Sequence, residues 1–293
     1  MLERLADRCR FPVGPTVSCA VSGGPDSLAL LVLARHVGLE VTAIHVDHGL
    51  RPGGDAEAEV VAAAARRFGA AFEARRVHVP EGGNVEARAR TARYQALPED
   101  VLTGHTADDQ AETVLLHLLR GGGLDALAGM PTERRPLIDL RRRETAELCE
   151  AQSLAPVADS TNADRRFRRN RVRLEVLPLL ADVAERDVVP LLVRAAELAR
   201  ADVDLLDELA AAYDVTDAAA LAAAPLPLGR RAVRGWLRQE HPPDSATVER
   251  VLRVAAGGAR ATDVGGGRRV ERSGGRLRLV EPSGLCPPDP GLH

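Results

Sequence analysis

The sequence predicts an α/β fold, a parallel doubly wound sheet followed by a smaller, mainly helical C-terminal domain. Two observations carry this. Short β-rich runs at Thr16–Val21, Val41–Val46, Phe72–Val79 and Val101–Gly104 alternate with segments of helical length. Parallel strands need such crossovers, and helices of this length cover both faces of the sheet. From about residue 181 the strand–helix alternation gives way to leucine- and alanine-rich helical patterning.

In order, the first strand runs into Ser22-Gly23-Gly24-Pro25-Asp26-Ser27, and Leu28, Leu30, Leu31 and Leu33 continue as a buried helix. The second strand ends in Asp47-His48-Gly49, and Asp55 opens an alanine-rich helix through Phe68. Phe72–Val79 alternates apolar with polar, as a strand with one solvated face does. Asn84 is positioned to cap a helix running to Leu97, and Asp108 to begin one that ends at Arg120 before three glycines. The composition divides the chain into an α/β domain (1–180), a helical linker (181–224), a small C-terminal domain (225–285) and a tail (286–293). Within the small domain, Pro225 and Pro227 precede an arginine-rich helix around Trp236. Ser245 is placed to cap another helix through Val254, and glycine-punctuated runs over Thr262–Val280 predict a small β element.

The composition excludes several classes. The 293 residues carry 39 basic groups against 42 acidic ones, and all 39 are arginine. An aromatic content of 2% argues against a stacking-based single-strand binder. No run is long and apolar enough to span a membrane, and Met1–Arg10 has no apolar core of a secretion signal. Cys9, Cys19, Cys149 and Cys286 form no C-x-x-C pair, so a cytoplasmic, reducing setting is expected. The net charge of −3 averages basic stretches at Arg134–Arg143 and Arg165–Arg173 with the acidic helices after Asp182.

The chemistry concentrates in two places. Two glycines between a strand and a helix let several N–H groups converge beside a helix N-terminus, a geometry that binds phosphate. The loop is not a Walker A sequence, because no Gly-Lys-Ser/Thr follows and the chain has no lysine. Asp26 is placed to hold Mg²⁺ near the phosphates, the usual magnesium environment. The second place is His105, Asp109 and Glu112, spaced i, i+4 and i+7, which a helix beginning near them presents on one face, with Asp108 off that face and suited to capping. Carboxylates at the carboxyl end of a parallel strand sit where open α/β sheets bind ligands. They suit a cationic amine, pairing its ammonium and then helping to remove its proton.

Ser-Gly-Gly-x-Asp-Ser at Ser22–Ser27 resembles the loop of the N-type ATP pyrophosphatases (PP-loop ATPases). With His45–Arg51, Gly104–Thr113, Gly129-Met130, Arg135–Leu137, Asp159–Asn162 and Arg169–Arg173 in this order, residues 15–180 resemble the tRNA(Ile)-lysidine synthetases. The resemblance implies a carbon–nitrogen ligase that uses ATP to join free L-lysine to C2 of the wobble cytidine in tRNA(Ile) bearing a CAU anticodon. ATP contacts are expected at Ser22, Gly23, Gly24, Pro25, Asp26, Ser27, His48 and Arg51, and lysine contacts at Asp109 and Glu112. Catalytic roles fall to Asp26, His105, Asp109 and Glu112. Glu86–Tyr94 is similar to a family helix, which places Arg90 and Arg93 with Arg169, Asn170, Arg171 and Arg173 as expected tRNA contacts. Pro227–Val280 is weakly similar to the family's small C-terminal domain, the expected reader of tRNA identity. A homodimer is left open. The rival readings are a tRNA thiolation enzyme of the same loop type, which commonly needs the paired cysteines this chain lacks, another amide-forming ligase, and a nucleotide- and RNA-binding module without turnover.

Overall fold

The structure is a computed structural model that describes residues 1–47, 49, 54–77, 88, 91–92, 94–157, 164–238 and 243–281. The chain folds as two compact units, Met1–Arg200 and Ala201–His293. In the first unit α1 (Leu2–Ala6) precedes a four-stranded parallel sheet of β1 (Thr16–Ala20), β2 (Glu40–Asp47), β3 (Ala71–Arg76) and β4 (Leu102–Thr103). The strand order is β3-β2-β1-β4, so the sheet reverses its winding between β1 and β4. That reversal opens the crevice in which doubly wound sheets hold ligands. Both segments of chemical interest leave its edges, one after β1 and one after β4.

The core explains the leucine run. In α2 (Pro25–His36) every residue from Ser27 to Ala34 is buried, because the helix is covered on all sides. Val41 and Ala43 of β2, Val61, Ala64 and Ala65 of α3 (Gly54–Phe68), and Leu148 and Cys149 of α6 (Arg142–Ala151) share its cluster. A helix that is apolar all round belongs in a core. Between β4 and α6 lie α4 (Ala107–Leu118) and α5 (Leu124–Leu127). After α6 come α7 (Arg168–Arg171), a π-helical turn (Val172–Val176), α8 (Leu177–Val183) and α9 (Val189–Ala211). Ala107 and Ala111 of α4 pack with Val172 and Leu177, which seats the π-turn against the helix that carries Asp109 and Glu112. Such wide turns recur at functional sites.

The second unit has its own core, built by α10 (Ala218–Ala223), α11 (Leu226–Leu237), α12 (Ser245–Ala255) and the antiparallel strands β5 (Ala261–Gly265), β6 (Arg268–Ser273) and β7 (Arg276–Val280). Ala218 and Leu221 belong to this core, so its packing begins upstream of Pro225. The α12 cap is Asp244, whose Oδ1 accepts from the Thr247 N–H at 2.6 Å, one residue before the expected Ser245. Strand β3 ends at Arg76, and the expected cap Asn84 lies outside the described residues. Among the described residues no helix is long and apolar enough to cross a membrane.

Candidate active site

The loop after β1 is held from both sides. Val21 N–H donates to the Ile44 carbonyl at 2.9 Å, and Val157 N–H donates to the Gly23 carbonyl at 3.0 Å. Gly23 has φ +87°, and a Cβ there would stand 3.1 Å from the Val157 side chain, so both conformation and space require glycine. Ser27 is turned into the loop. Its hydroxyl donates to the Gly24 carbonyl at 2.9 Å and accepts from Ser22 N–H at 3.1 Å, while Ser22 itself is exposed. Pro25 at the start of α2 has no N–H to lose, and the remaining first-turn N–H groups have no intrahelical carbonyl. Such a terminus beside two glycines has the geometry that suits an anion.

Asp26 lies in that first turn and is mostly buried. Thr145 Oγ1 donates to its Oδ1, and Arg142 Nε is 3.5 Å from its Oδ2. Burial pushes its pKa up to about 6, helped by the Asp109 charge and opposed by Thr145 and Arg142. Gly104, just past β4, passes so close to α2 that a Cβ would come within 2.6 Å of the Asp26 carbonyl oxygen. Glycine here sets residues 105–112 directly against the loop.

Thr106 caps α4. Its N–H and hydroxyl donate to Asp109 Oδ2 at 2.9 and 3.0 Å, which fixes that carboxylate one turn into the helix. The other Asp109 oxygen accepts from Arg142 Nη2 at 2.9 Å and Arg169 Nη2 at 2.8 Å. Glu112 is 0% exposed and receives three guanidinium groups. Arg142 Nη1 and Arg173 Nε reach Oε1 at 3.0 and 2.7 Å, and Arg169 Nε reaches Oε2 at 2.7 Å. Burial alone would raise the pKa of Asp109, but Arg142, Arg169, His105 and the Thr106 N–H outweigh it and hold it at about 2. Asp109 is therefore a strong electrostatic anchor of the cluster.

His105 corrects an expectation, because it precedes the cap and is not a helical residue. Its Nδ1 lies 2.8 Å from Thr103 Oγ1, and the ring stands close enough to Asp109 to act on it electrostatically. Asp108 is off the carboxylate face as expected, but it caps the neighbouring helix. It accepts from Arg142 N–H, the first residue of α6, at 2.8 Å and pairs with Arg141.

The arginine cluster at 165–173 divides, with Arg165, Arg166, Arg168 and Arg171 exposed at the surface. Arg169 and Arg173 turn inward, because two buried carboxylates need counter-charge. Asn170 is buried and donates from Nδ2 to the Asp164 carbonyl at 2.8 Å. Arg171 stays at the surface and pairs with Glu175 at 3.1 Å. The expected contacts His48, Arg51, Arg90 and Arg93, and the string Asp159–Asn162, lie outside the described residues. Arg142 was not singled out from the sequence, although it touches Asp26, Asp109 and Glu112 together. Its signal was an arginine run directly after the buried Leu137–Leu140 turn.

The matches to known proteins agree with this layout. Residues 4–180 match the PP-loop domain model, and residues 217–278 match the TilS substrate binding domain model. The tRNA(Ile)-lysidine synthase of Nocardia farcinica is 47% identical over 76% of this chain and 76% of its own. That of Salinispora arenicola is 41% identical over 95% of this chain and 93% of its own. Among solved structures, the U34-tRNA thiolase NcsA from Methanococcus maripaludis with its [4Fe-4S] cluster covers 67% of this chain and 77% of its own. Its TM-score is 0.54 at 16% identity, a likeness of fold alone. A nucleotide loop and a buried carboxylate pair on one sheet crevice, followed by a TilS-type domain, leave one conclusion: the chain belongs to the tRNA(Ile)-lysidine synthase family of lysidine-forming, tRNA-modifying ligases.

Proposed function

We propose that the crevice joins free L-lysine to the wobble cytidine of tRNA(Ile) with a CAU anticodon, in two steps at adjoining halves of one site. The observation that carries the reading is the placement of Asp109 and Glu112, both buried, beside Asp26 of the phosphate-type loop, with Arg142 touching all three. Ser22–Ser27 and the α2 N-terminus hold the triphosphate. The cytidine C2 oxygen attacks the α-phosphorus and pyrophosphate leaves. The lysine ε-amine then attacks C2, the C2–oxygen bond breaks, and AMP departs with that oxygen. Reaching C2 requires the base to be extruded from the anticodon stack.

The residues fit a magnesium ion. Asp26 is a buried carboxylate with too little compensating charge, as its raised pKa records, and Mg²⁺ in phosphoryl-transfer sites is held by one or two carboxylates together with substrate phosphates. When bound, the ion neutralises charge on the leaving pyrophosphate. Asp109 and Glu112 pair the substrate's ammonium and orient it, and His105 beside Asp109 is the group placed to take its proton. The TilS-type domain at 217–278 reads tRNA features outside the anticodon.

The test supplies ATP, Mg²⁺, radiolabelled lysine and unmodified tRNA(Ile) bearing CAU. Label is expected on that tRNA with matching release of AMP and pyrophosphate. Absence of label with an enzyme that binds ATP overturns the reading.

A further inference from the structure

Three carboxylates and three guanidinium groups meet at this site, so the cluster of Asp26, Asp109 and Glu112 with Arg142, Arg169 and Arg173 is neutral as it stands. Every oxygen of Asp109 and Glu112 already accepts at least one hydrogen bond. A cationic substrate cannot simply be added to such a site. A fourth cation would leave the cluster positive, and the incoming N–H donors would find the acceptor sites taken. One guanidinium must leave when the amine arrives.

The three arginines are not equally held. Arg142 begins the ten-residue α6, its own N–H is bonded to Asp108, and its guanidinium spans Asp26, Asp109 and Glu112. Its departure would break the link between the loop and α4. Arg173 sits in the π-turn packed on α4 and gives both of its contacts to Glu112 alone. Arg169 stands on the four-residue α7 and is the most exposed of the three, its side chain 35% accessible against 25% for Arg142 and 23% for Arg173. It places one nitrogen on Asp109 and another on Glu112, at 2.8 and 2.7 Å. An ammonium shared by this carboxylate pair would make the same two contacts.

We propose that Arg169 is a specificity-determining residue whose guanidinium holds the place of the substrate's ammonium and yields only to a ligand that brings its own positive charge to Asp109 and Glu112. The inference rests on the reading of this pair as the amine site. A neutral amino acid cannot replace Arg169 without leaving a buried carboxylate short of charge, which is costly. A cationic side chain replaces it one for one. Arg169 therefore raises the concentration of lysine needed for half-occupancy and excludes uncharged analogues of the same length.

The test measures equilibrium binding of radiolabelled lysine, and competition by norleucine, for wild-type enzyme, Arg169→Gln and Arg169→Lys. Removing an internal ion pair of this exposure should tighten lysine binding roughly three- to tenfold in Arg169→Gln. Arg169→Lys restores a competing cation and should return the affinity toward wild type, which a merely structural loss at this position would not do. Equal or weaker lysine binding by a folded Arg169→Gln overturns the proposal. A second measurement needs no variant. Lysine should increase phenylglyoxal modification of Arg169 in the wild-type enzyme, mapped by mass spectrometry, while Arg142 stays protected. A decrease or no change at Arg169 also overturns it. Wild-type transfer of lysine to tRNA tests the underlying reading separately. If transfer occurs and Arg169 neither competes nor becomes reactive, only this inference falls.

Discussion

Replacing Asp26 with asparagine should stabilise the ligand-free protein while abolishing its chemistry. The Asp26 pKa rises from 3.8 to about 6, so ionising this group in the folded state costs more than ionising it in the unfolded chain. A shift of that size corresponds to about 3 kcal/mol at pH 8, since one pKa unit is worth about 1.4 kcal/mol. The sign follows from proton binding. Between pH 3.8 and about 6 the folded state binds more protons than the unfolded state, so stability falls as pH rises through that window. Below pH 3.8 both states hold the proton and the penalty is absent. An asparagine at this position keeps the shape and a carbonyl acceptor for Thr145 but carries no charge, so it removes the penalty wherever Asp26 would be ionised.

Thermal unfolding of the two proteins at pH 4, 6 and 8, without nucleotide or divalent metal, measures this difference. Asp26→Asn should melt several degrees higher at pH 8, with the gap shrinking as pH falls, on the scale of about 2–4 °C per kcal/mol for a domain of this size. Pyrophosphate release should be lost at every pH. A variant that melts lower than wild type at pH 8 would show that the pairing of Asp26 with Arg142 outweighs its burial, and the reasoning would fail. The expected pattern marks a carboxylate retained for function against the interest of stability.

Three further outcomes follow. Glu112→Gln removes the charge that three guanidinium groups share, so it should destabilise the first unit by about 3–5 kcal/mol in denaturant unfolding and stop lysine transfer. Asp109 is depressed from 3.8 to about 2, so its contribution of about 2 kcal/mol is fully present above pH 3.8 and lost as pH falls through about 2; acid unfolding of Asp109→Asn should lack that share of the wild-type transition. In the second unit Asp217 Oδ1 accepts from Ala219 and Ala220 N–H at 3.0 Å each, so Asp217→Ala should cost about 1 kcal/mol in a chemical melt while leaving ATP binding unchanged.

The alternation of strands and helices was legible because each element carries its own periodicity and punctuation. The strand β1, the buried Ser27–Ala34 run of α2 and the turn between them follow from a β-rich run, a leucine run and two glycines. Asp109 and Glu112 were legible for the same reason, since helical spacing alone places them on one face. The partners of that face were not. Arg142, Arg169 and Arg173 lie 30 to 61 residues away in sequence from Glu112, and only tertiary packing reveals which members of a basic run face inward. A run of arginines has the same local signature on a solvated helix, on an RNA-facing surface and around buried carboxylates. The decisive quantity is the unpaired charge it meets. Likewise His105 has the spacing of the helical face, but Thr106 is the better cap, so the helix starts too late to include it.

The absence of lysine acquires a chemical meaning at this site. Each buried carboxylate of the cluster needs a cation, and in this chain every side-chain cation of permanent charge is a guanidinium. Arginine suits the position for two reasons. Its planar fork reaches two carboxylates at once, as Arg142 and Arg169 both do, whereas an ammonium is a point charge. It also stays protonated, while a desolvated lysine loses its proton readily and becomes a nucleophile. A lysine at 142, 169 or 173 would hold a second ε-amine beside an activated C2, competing for the bond that the proposed substrate is meant to form. Counter-charge without nucleophilicity is what the proposed reaction demands of its own protein. The three guanidinium groups around Asp109 and Glu112 supply it.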